Sequence, residues 1–330
     1  MGSDRVDGEE RTLALPRTRN EGADCIKAIR VLYIMGCGRS GSTILDILLG
    51  SSSSATSAGE LINLNRNGWT DKRYCSCGEE WTDCPHWKQV REEFDFSLGE
   101  AQFNKLVQLS SQYERIRRIP ALLVERRIGS ARLRDYAASM RGLYATIQSL
   151  TGASIIVDSS KNPARALALS LVPGIELYVV HLVRDGRGVM WSYAKSFTKE
   201  AAKGIERNQP SWSSWKASFQ WVLGNRLSSF VRMMIPRPSI EIRYEDFVDS
   251  PSDEVARIED LVGVDMSSLK RDLDAAASFA VPHLLSGNRL RMIKEIQLRR
   301  DEEWREKLSV GSKAVFRLIA GRCARRHGYL

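Results

Sequence analysis

The stretch Ile29-Arg30-Val31-Leu32-Tyr33-Ile34-Met35-Gly36-Cys37-Gly38-Arg39-Ser40-Gly41-Ser42-Thr43-Ile44-Leu45 decides how this chain is read. Its first part is a short, almost continuously apolar run, the pattern of a strand buried on both faces of a parallel sheet. A turn carrying three glycines follows. Then comes Thr43-Ile44-Leu45-Asp46-Ile47-Leu48-Leu49, apolar on most sides and closed by Gly50 as a C-cap. Strand, glycine turn and helix in that order aim backbone N–H groups and a helix N-terminus at an anion.

The turn nearly matches the triphosphate loop G-x-x-x-x-G-K-[ST]. Gly36 and Gly41 have the spacing and Thr43 holds the hydroxyl position, but Ser42 stands where the lysine reaches the β- and γ-phosphates. The expected ligand is therefore phosphate-bearing without a triphosphate tail. Gly38, Arg39, Ser40, Gly41, Ser42 and Thr43 are its candidate contacts, with Arg39 the nearest cation. Two alternatives stay open: a P-loop kinase, with Asp158 as the magnesium-binding acid, and a non-catalytic nucleotide-binding module.

The length of 330 residues suits one large α/β domain. We expect residues 1–26 to form a disordered N-terminal segment and 27–330 a single domain, with 61–150 a mostly helical insertion or cap. A net charge of +9 favours anionic partners, such as a nucleotide, a sulfated or phosphorylated substrate or an anionic membrane surface. No nucleic-acid module is present, so nucleic acid is not an expected partner. The longest apolar region, Ala166 to Val183, is broken by Pro173-Gly174 and carries Glu176, so no bilayer span is expected. Residues 1–24 have no apolar core of a secretory signal, and a cytoplasmic location with reduced cysteines is expected. Cys75, Cys77 and Cys84, with His86 nearby, are zinc-ligand types. Their spacing is not the Cys-x2-Cys knuckle and no second pair completes it, so they read as packed thiols, with no metal.

A second buried strand, Ser154–Asp158, leads into Ser159-Ser160-Lys161-Asn162-Pro163. Ligands of open parallel sheets bind beyond the carboxyl ends of strands, which places Lys161 toward whatever the glycine loop holds. A third strand, Glu176–Val183, ends in Arg184-Asp185. Asp185 suits a helix N-cap. Arg184 offers a planar fork to phosphate and Ser192, eight positions on, a hydroxyl donor. Ile240–Phe247, which contains Tyr244, reads as a fourth strand with a polar exit. Trp212, Trp215, Phe219 and Val222 recur at helical spacing and read as core packing. Leu122, Leu123, Ile128, Leu133, Tyr136 and Met140 recur at roughly helical spacing in an arginine-rich, mostly helical region, whose arginines form a solvated face or attract an acidic acceptor or lipid headgroups. Taken locally, Glu60 is a surface carboxylate at the start of a helix.

The glycine loop with Arg39, together with Arg184 and Ser192 at their spacing, resembles the sulfotransferases that use 3′-phosphoadenosine 5′-phosphosulfate (PAPS). The resemblance implies a P-loop NTPase-like α/β fold of three layers, with a central, mainly parallel sheet and a helical cap. It implies that Arg184 and Ser192 clamp the 3′-phosphate. Tyr244 matches the family's Tyr-Glu-Asp segment near the adenine, where a packed tyrosine is the other reading. Gly287-Asn288-Arg289-Leu290-Arg291 is similar to a Gly-Asn-x-x-Arg segment that closes over the nucleotide; Arg291 fits its arginine and Arg289 is a second candidate.

Many sulfotransferases of small molecules use a histidine base, but none of His86, His181, His283 and His327 lies in a matching segment. Tyrosylprotein and several carbohydrate sulfotransferases, which use a glutamate, are more similar. The spacing from Arg39 to Gly59-Glu60 matches the tyrosylprotein type, and Lys161 in Ser-Lys-Asn-Pro matches that type's Asn-Lys-Asp-Pro. The resemblance thus implies Glu60 as general base, with Lys161 and Arg39 at the reacting group. It implies PAPS as co-substrate, no metal requirement, and a hydroxyl acceptor on a carbohydrate, glycolipid or secondary metabolite. Peripheral contact with an anionic membrane or glycolipid is compatible with the charge.

Overall fold

The structure, a computed structural model, describes residues 28–67, 73–205 and 207–330; the segment expected to be disordered lies outside them. Five strands form one sheet in the order β2-β3-β1-β4-β5: β1 Ile29–Met35, β2 Ala55–Gly59, β3 Ile155–Lys161, β4 Ile175–Val183 and β5 Ser239–Arg243. All four pairings are parallel. This is the sheet expected of a P-loop NTPase-like fold. β1 lies at its centre because its side chains are apolar on both faces.

Helix α1 (Ser42–Gly50) joins β1 to β2. Between β2 and β3 run α2 (Leu61–Asn67), α3 (Pro85–Leu98), α4 (Glu100–Tyr113), α5 (Ile119–Ile128) and α6 (Ala131–Thr151). Then follow α7 (Pro163–Leu169), α8 (Gly186–Ala194), α9 (Ser214–Met234), α10 (Tyr244–Asp249), α11 (Pro251–Val262) and α12 (Ser267–Asp274). A small antiparallel pair, β6 (Phe279–Ala280) and β7 (Glu295–Ile296), precedes α13 (Trp304–Lys307) and α14 (Val310–Arg326).

The alternation along β1 sorts the core into two layers. Val31, Tyr33 and Met35 pack with α2 to α7, whereas Leu32 and Ile34 pack with α1, α11 and α12. A third cluster, centred on Trp221 and Phe316, joins α8, α9 and α14. Among the described residues no helix is long and apolar enough to cross a membrane.

Two expectations are corrected, and one strand carries no sequence expectation. Ala55–Gly59 is an edge strand; its Ala-Thr-Ser-Ala-Gly sequence carries little strand signal. The strand expected over 240–247 stops at Arg243, and Tyr244 opens α10. The aromatic stripe of α9 is not core: Trp215 is 51% and Phe219 60% exposed, while Trp221 takes the buried position. Trp212 instead stacks on Tyr193 at 4.2 Å. Leu223, Phe230 and Met233 extend the exposed face of α9, beside exposed Lys216 and Arg226. Ile128 is likewise exposed, at the end of α5.

Candidate active site

Parallel strands end together, and here their ends carry the chemistry. Met35, the last residue of β1, is in register with Lys161 on one side and His181 on the other. The glycine loop leaves β1, Glu60 follows β2, Lys161 ends β3, Arg184 follows β4 and Tyr244 follows β5. The loop and four residues distant in sequence are thus delivered to one edge of the sheet.

The loop is held in a conformation that its glycines permit. Gly41 has φ of 92°, and a Cβ there would run into the ring of Tyr244. Arg39 takes φ of 70° and Lys161 65°, both in the left-handed region that side chains disfavour. Among the described residues four non-glycine residues have positive φ; a third, Ser286, also belongs to this site. Such strain collects where surrounding structure fixes a functional geometry. Ser40 is 1% exposed, and its Oγ finds no hydrogen-bond partner among the described residues. An unpaired buried hydroxyl at a helix N-terminus suits an anionic ligand oxygen.

Lys161 Nζ donates to Glu60 Oε1, and Asn63 Nδ2 donates to Glu60 Oε2 at 3.1 Å. Both side chains of the ion pair keep a little solvent access, 19% for Lys161 and 16% for Glu60. The backbone N–H of Glu60 donates to the Leu285 carbonyl at 2.8 Å, so the segment around Leu285 fixes where the carboxylate sits. Asn288 N–H donates to Thr43 Oγ1 at 3.1 Å. A Cβ on Gly287 would stand 3.3 Å from Thr43 Oγ1 and 3.8 Å from Glu60 Oε1. The Gly287-Asn288 segment therefore lies over both the loop helix and the glutamate.

Arg184 is 7% exposed. Its Nη1 donates to the Arg39 carbonyl at 3.4 Å, its Nη2 lies 3.0 Å from Asp301 Oδ2, and its guanidinium covers the Tyr244 ring at 4.6 Å. The glycine loop and this arginine are thus neighbours on one side of the sheet. Asp185 caps α8 by accepting from Arg187 N–H at 2.9 Å, as its sequence position predicts. A Cβ on Gly188 would meet Arg184 Nε at 3.2 Å. Ser192, one turn further along α8, falls on that same helix face.

The other candidates are placed differently from one another. Tyr244 is buried, enclosed by Gly41 and the Arg184 guanidinium. Arg291 is fully buried and donates to the carbonyls of Gly204, Gly287 and Tyr74, shaping the 287–291 turn from inside. Arg289 is exposed and covers Phe197 at 4.9 Å. Arg39 Nη2 donates to Gln209 Oε1 at 2.5 Å.

Several residues of this neighbourhood carry no local sequence signal. Asp46 reads as a polar interruption of an apolar helix; it is fully buried beneath the loop, accepting from Ser57 and Ser159 hydroxyls. Burial pushes its carboxyl up to about 7, against the pull of those two hydrogen bonds. Burial also pushes the Cys37 thiol up to about 12, which leaves it unreactive. Asp301 pairs with Arg184 from far along the chain, a link that only folding creates.

Asp158 bears on the kinase alternative. It is fully buried and turned into the helical layer, where it accepts from Tyr144 Oη at 2.5 Å and pairs with Arg165 Nε at 3.1 Å. Arg165 also binds Glu114, completing a buried network. A carboxylate committed in this way does not face the loop as a metal-binding acid must.

The family model that matches this chain is that of the sulfotransferase family, over residues 32–268. Among solved structures, a sulfotransferase domain from the curacin biosynthetic pathway is similar at 16% identity and a TM-score of 0.50, with 90% of this chain and 98% of that one covered. A sulfotransferase from Mycobacterium avium is 12% identical over 91% of this chain and 77% of that one, at a TM-score of 0.43. No curated protein matches the chain.

Proposed function

From the premise that this chain belongs to the sulfotransferase family, we propose that it transfers the sulfuryl group of PAPS to an acceptor hydroxyl. The observation that carries the reading is the Lys161–Glu60 ion pair beside the glycine loop, with Arg184 bonded to the Arg39 carbonyl of that loop. An anion-binding turn, a cation with a carboxylate and a second phosphate fork occupy one sheet edge. Sulfuryl transfer from a nucleotide with phosphate at both ends needs that set.

In this reading the loop N–H groups, Ser40 Oγ and Thr43 Oγ1 hold the 5′-phosphosulfate, while Arg184 and Ser192 hold the 3′-phosphate. Tyr244, buried under Arg184, supports that guanidinium rather than stacking on the base. Glu60 takes the proton of the acceptor hydroxyl as its oxygen forms the bond to sulfur. The bond from sulfur to the bridging oxygen breaks, and its electron pair stays on the departing phosphate. Lys161 and Arg39 meet the charge that grows there. Asn288 and Gly287 keep the turn closed over Thr43, and Arg291 fixes that turn from below. In this reading Lys161 and Arg39 supply the positive charge at the reacting oxygens, and no step is assigned to a metal ion.

The acceptor is read as the hydroxyl of a carbohydrate, glycolipid or secondary metabolite. A cleft of about 430 Å³ is lined by Arg115, Arg117, Arg118 and Arg132 and by Glu125, which pairs with Arg118; its net positive lining suits an acceptor that carries negative charge. The test is transfer of labelled sulfate from PAPS into extracts and acceptor panels, read by mass spectrometry. Labelled product that needs PAPS supports the reading; magnesium-dependent ATP turnover without PAPS binding would restore the kinase alternative. Tight binding of the desulfo nucleotide with no transfer to any acceptor would favour the binding module.

A further inference from the structure

We propose that Cys75, Cys77, Cys84 and His283 form a structural zinc site that pins the helical insertion to the segment behind Glu60. Cys75 and Cys77 sit in a tight turn, closed by hydrogen bonds from Cys75 N–H to the Glu79 carbonyl at 2.8 Å and from Gly78 N–H to the Cys75 carbonyl at 3.0 Å. Cys84 precedes α3 as its N-cap, with Pro85 in the first turn. His283 arrives 199 residues after Cys84, which is why spacing alone shows three ligands and no fourth. In the fold the four donor atoms all lie within 4.8 Å of one another. The His283 Nδ1 atom is 3.3 Å from Cys84 Sγ and 3.7 Å from Cys75 Sγ.

The two nitrogen–sulfur separations match a tetrahedron around one ion, and all four donors lie close enough to close on it. Bonds of ~2.3 Å to sulfur and ~2.05 Å to nitrogen put sulfur atoms ~3.8 Å apart and sulfur and nitrogen ~3.5 Å apart. Three thiolates with one imidazole are a soft donor set that selects zinc and leaves no open position, so the site is structural rather than catalytic. A disulfide explains the cluster less well. It would join two sulfurs, leave the third alone and give no reason for an imidazole nitrogen to face them. The ring is also held in place. Trp87 Nε1 donates to the His283 carbonyl at 3.2 Å, and the His86 ring stacks on it at 5.5 Å.

The site lies where a brace is needed. Cys75 bridges to Leu285, whose carbonyl accepts the Glu60 N–H, and Ser286 accepts from Asn63, the residue that also binds Glu60. Gly287 and Asn288 follow directly, against Thr43. Linking residues 75–84 to 283 closes a very long loop, the case in which a metal clip restricts the unfolded chain most.

The test is metal content of the full chain, purified from zinc-containing medium and passed through gel filtration, with thiols counted after denaturation. One zinc per chain is expected, lost in Cys84→Ser and His283→Ala, retained in His283→Cys and in Cys323→Ser, whose cysteine lies outside the cluster. Should the deficient variants fail to fold, cobalt replacement in the unaltered chain gives a second reading: intense visible bands of a tetrahedral thiolate site are expected. Substoichiometric metal with all thiols free, a disulfide within the cluster, or zinc undiminished in both His283→Ala and Cys84→Ser would overturn the proposal. Metal content is read without PAPS or acceptor, so this result and the sulfotransferase reading fail separately.

Discussion

Lys161 Nζ and Glu60 Oε1 form an ion pair across 101 residues of sequence, one at the end of β3 and the other just beyond β2. The pair joins a cation that suits a leaving phosphate to a carboxylate that suits an acceptor proton. Each also holds the other in place. Glu60→Gln should lower turnover by ~10²–10⁴-fold, the usual worth of a positioned base, with nucleotide binding kept. Lys161→Met should lower turnover and also weaken the nucleotide. Steady-state rates with calorimetric binding of the desulfo nucleotide separate the two; unchanged turnover in Glu60→Gln contradicts the assignment.

Asp46 gives a pH signature under the loop. Its carboxyl is raised by burial from 3.8 to about 7, so the folded state prefers the neutral form. The stability this lends is complete below the unfolded value and is lost as pH rises through about 7. Asp46→Asn carries no such titration. Thermal melts from pH 4 to 8 should show the variant gaining on the unaltered chain as pH rises; parallel curves would contradict the buried, raised carboxyl.

His327 titrates the C-terminal helix. Burial pulls its pKa down, but hydrogen bonds to Cys323 and Glu241 and the Glu241 charge outweigh it and carry it to about 9. Its ring Nδ1 lies 2.7 Å from Glu241 Oε1. The folded value stands above the unfolded one, so the pair's contribution is full below about 6.5 and fades as pH climbs through about 9. Stability should fall between pH 7 and 10, and Glu241→Gln should flatten that fall. A fall that is equally steep in Glu241→Gln speaks against the pair.

The exposed face of α9 carries Trp215, Phe219, Leu223, Phe230 and Met233 with Lys216 and Arg226. On a chain of net charge +9 this favours peripheral contact with an anionic lipid surface. Co-sedimentation with phosphatidylserine vesicles should be salt-sensitive and reduced in a Trp215→Ser, Phe219→Ser double variant. No binding by the unaltered chain at low salt contradicts that contact.

Much of this site was legible because its signals are local. The β1, β3 and β4 strands are apolar runs, and the glycine loop, Lys161 and Arg184 sit where those runs stop. The rest depends on distance or context. β2 is one threonine among alanine, serine and glycine, and its pairing with β3 makes it a strand. The apolar period of α9 is real, yet periodicity does not say which side is covered, and its Trp215 and Phe219 face outward. Tyr244 and Arg291 are buried, Tyr244 against the Arg184 guanidinium and Arg291 against the Gly287 carbonyl, contacts that sequence spacing does not show. His283 and Asp301 meet their partners only through the fold, so no spacing in the sequence announces them.

The central claim is that the glycine loop and Arg184 grip opposite ends of one nucleotide, and calorimetry with adenosine 3′,5′-bisphosphate and adenosine 5′-phosphate tests it most directly. The unaltered chain should bind the bisphosphate at least ~10-fold more tightly, as expected for ~1.5–3 kcal/mol from charged hydrogen bonds, and Arg184→Ala should erase that preference while still binding the monophosphate. Equal affinity of the unaltered chain for the two nucleotides, or a preference that survives in Arg184→Ala, would contradict the account.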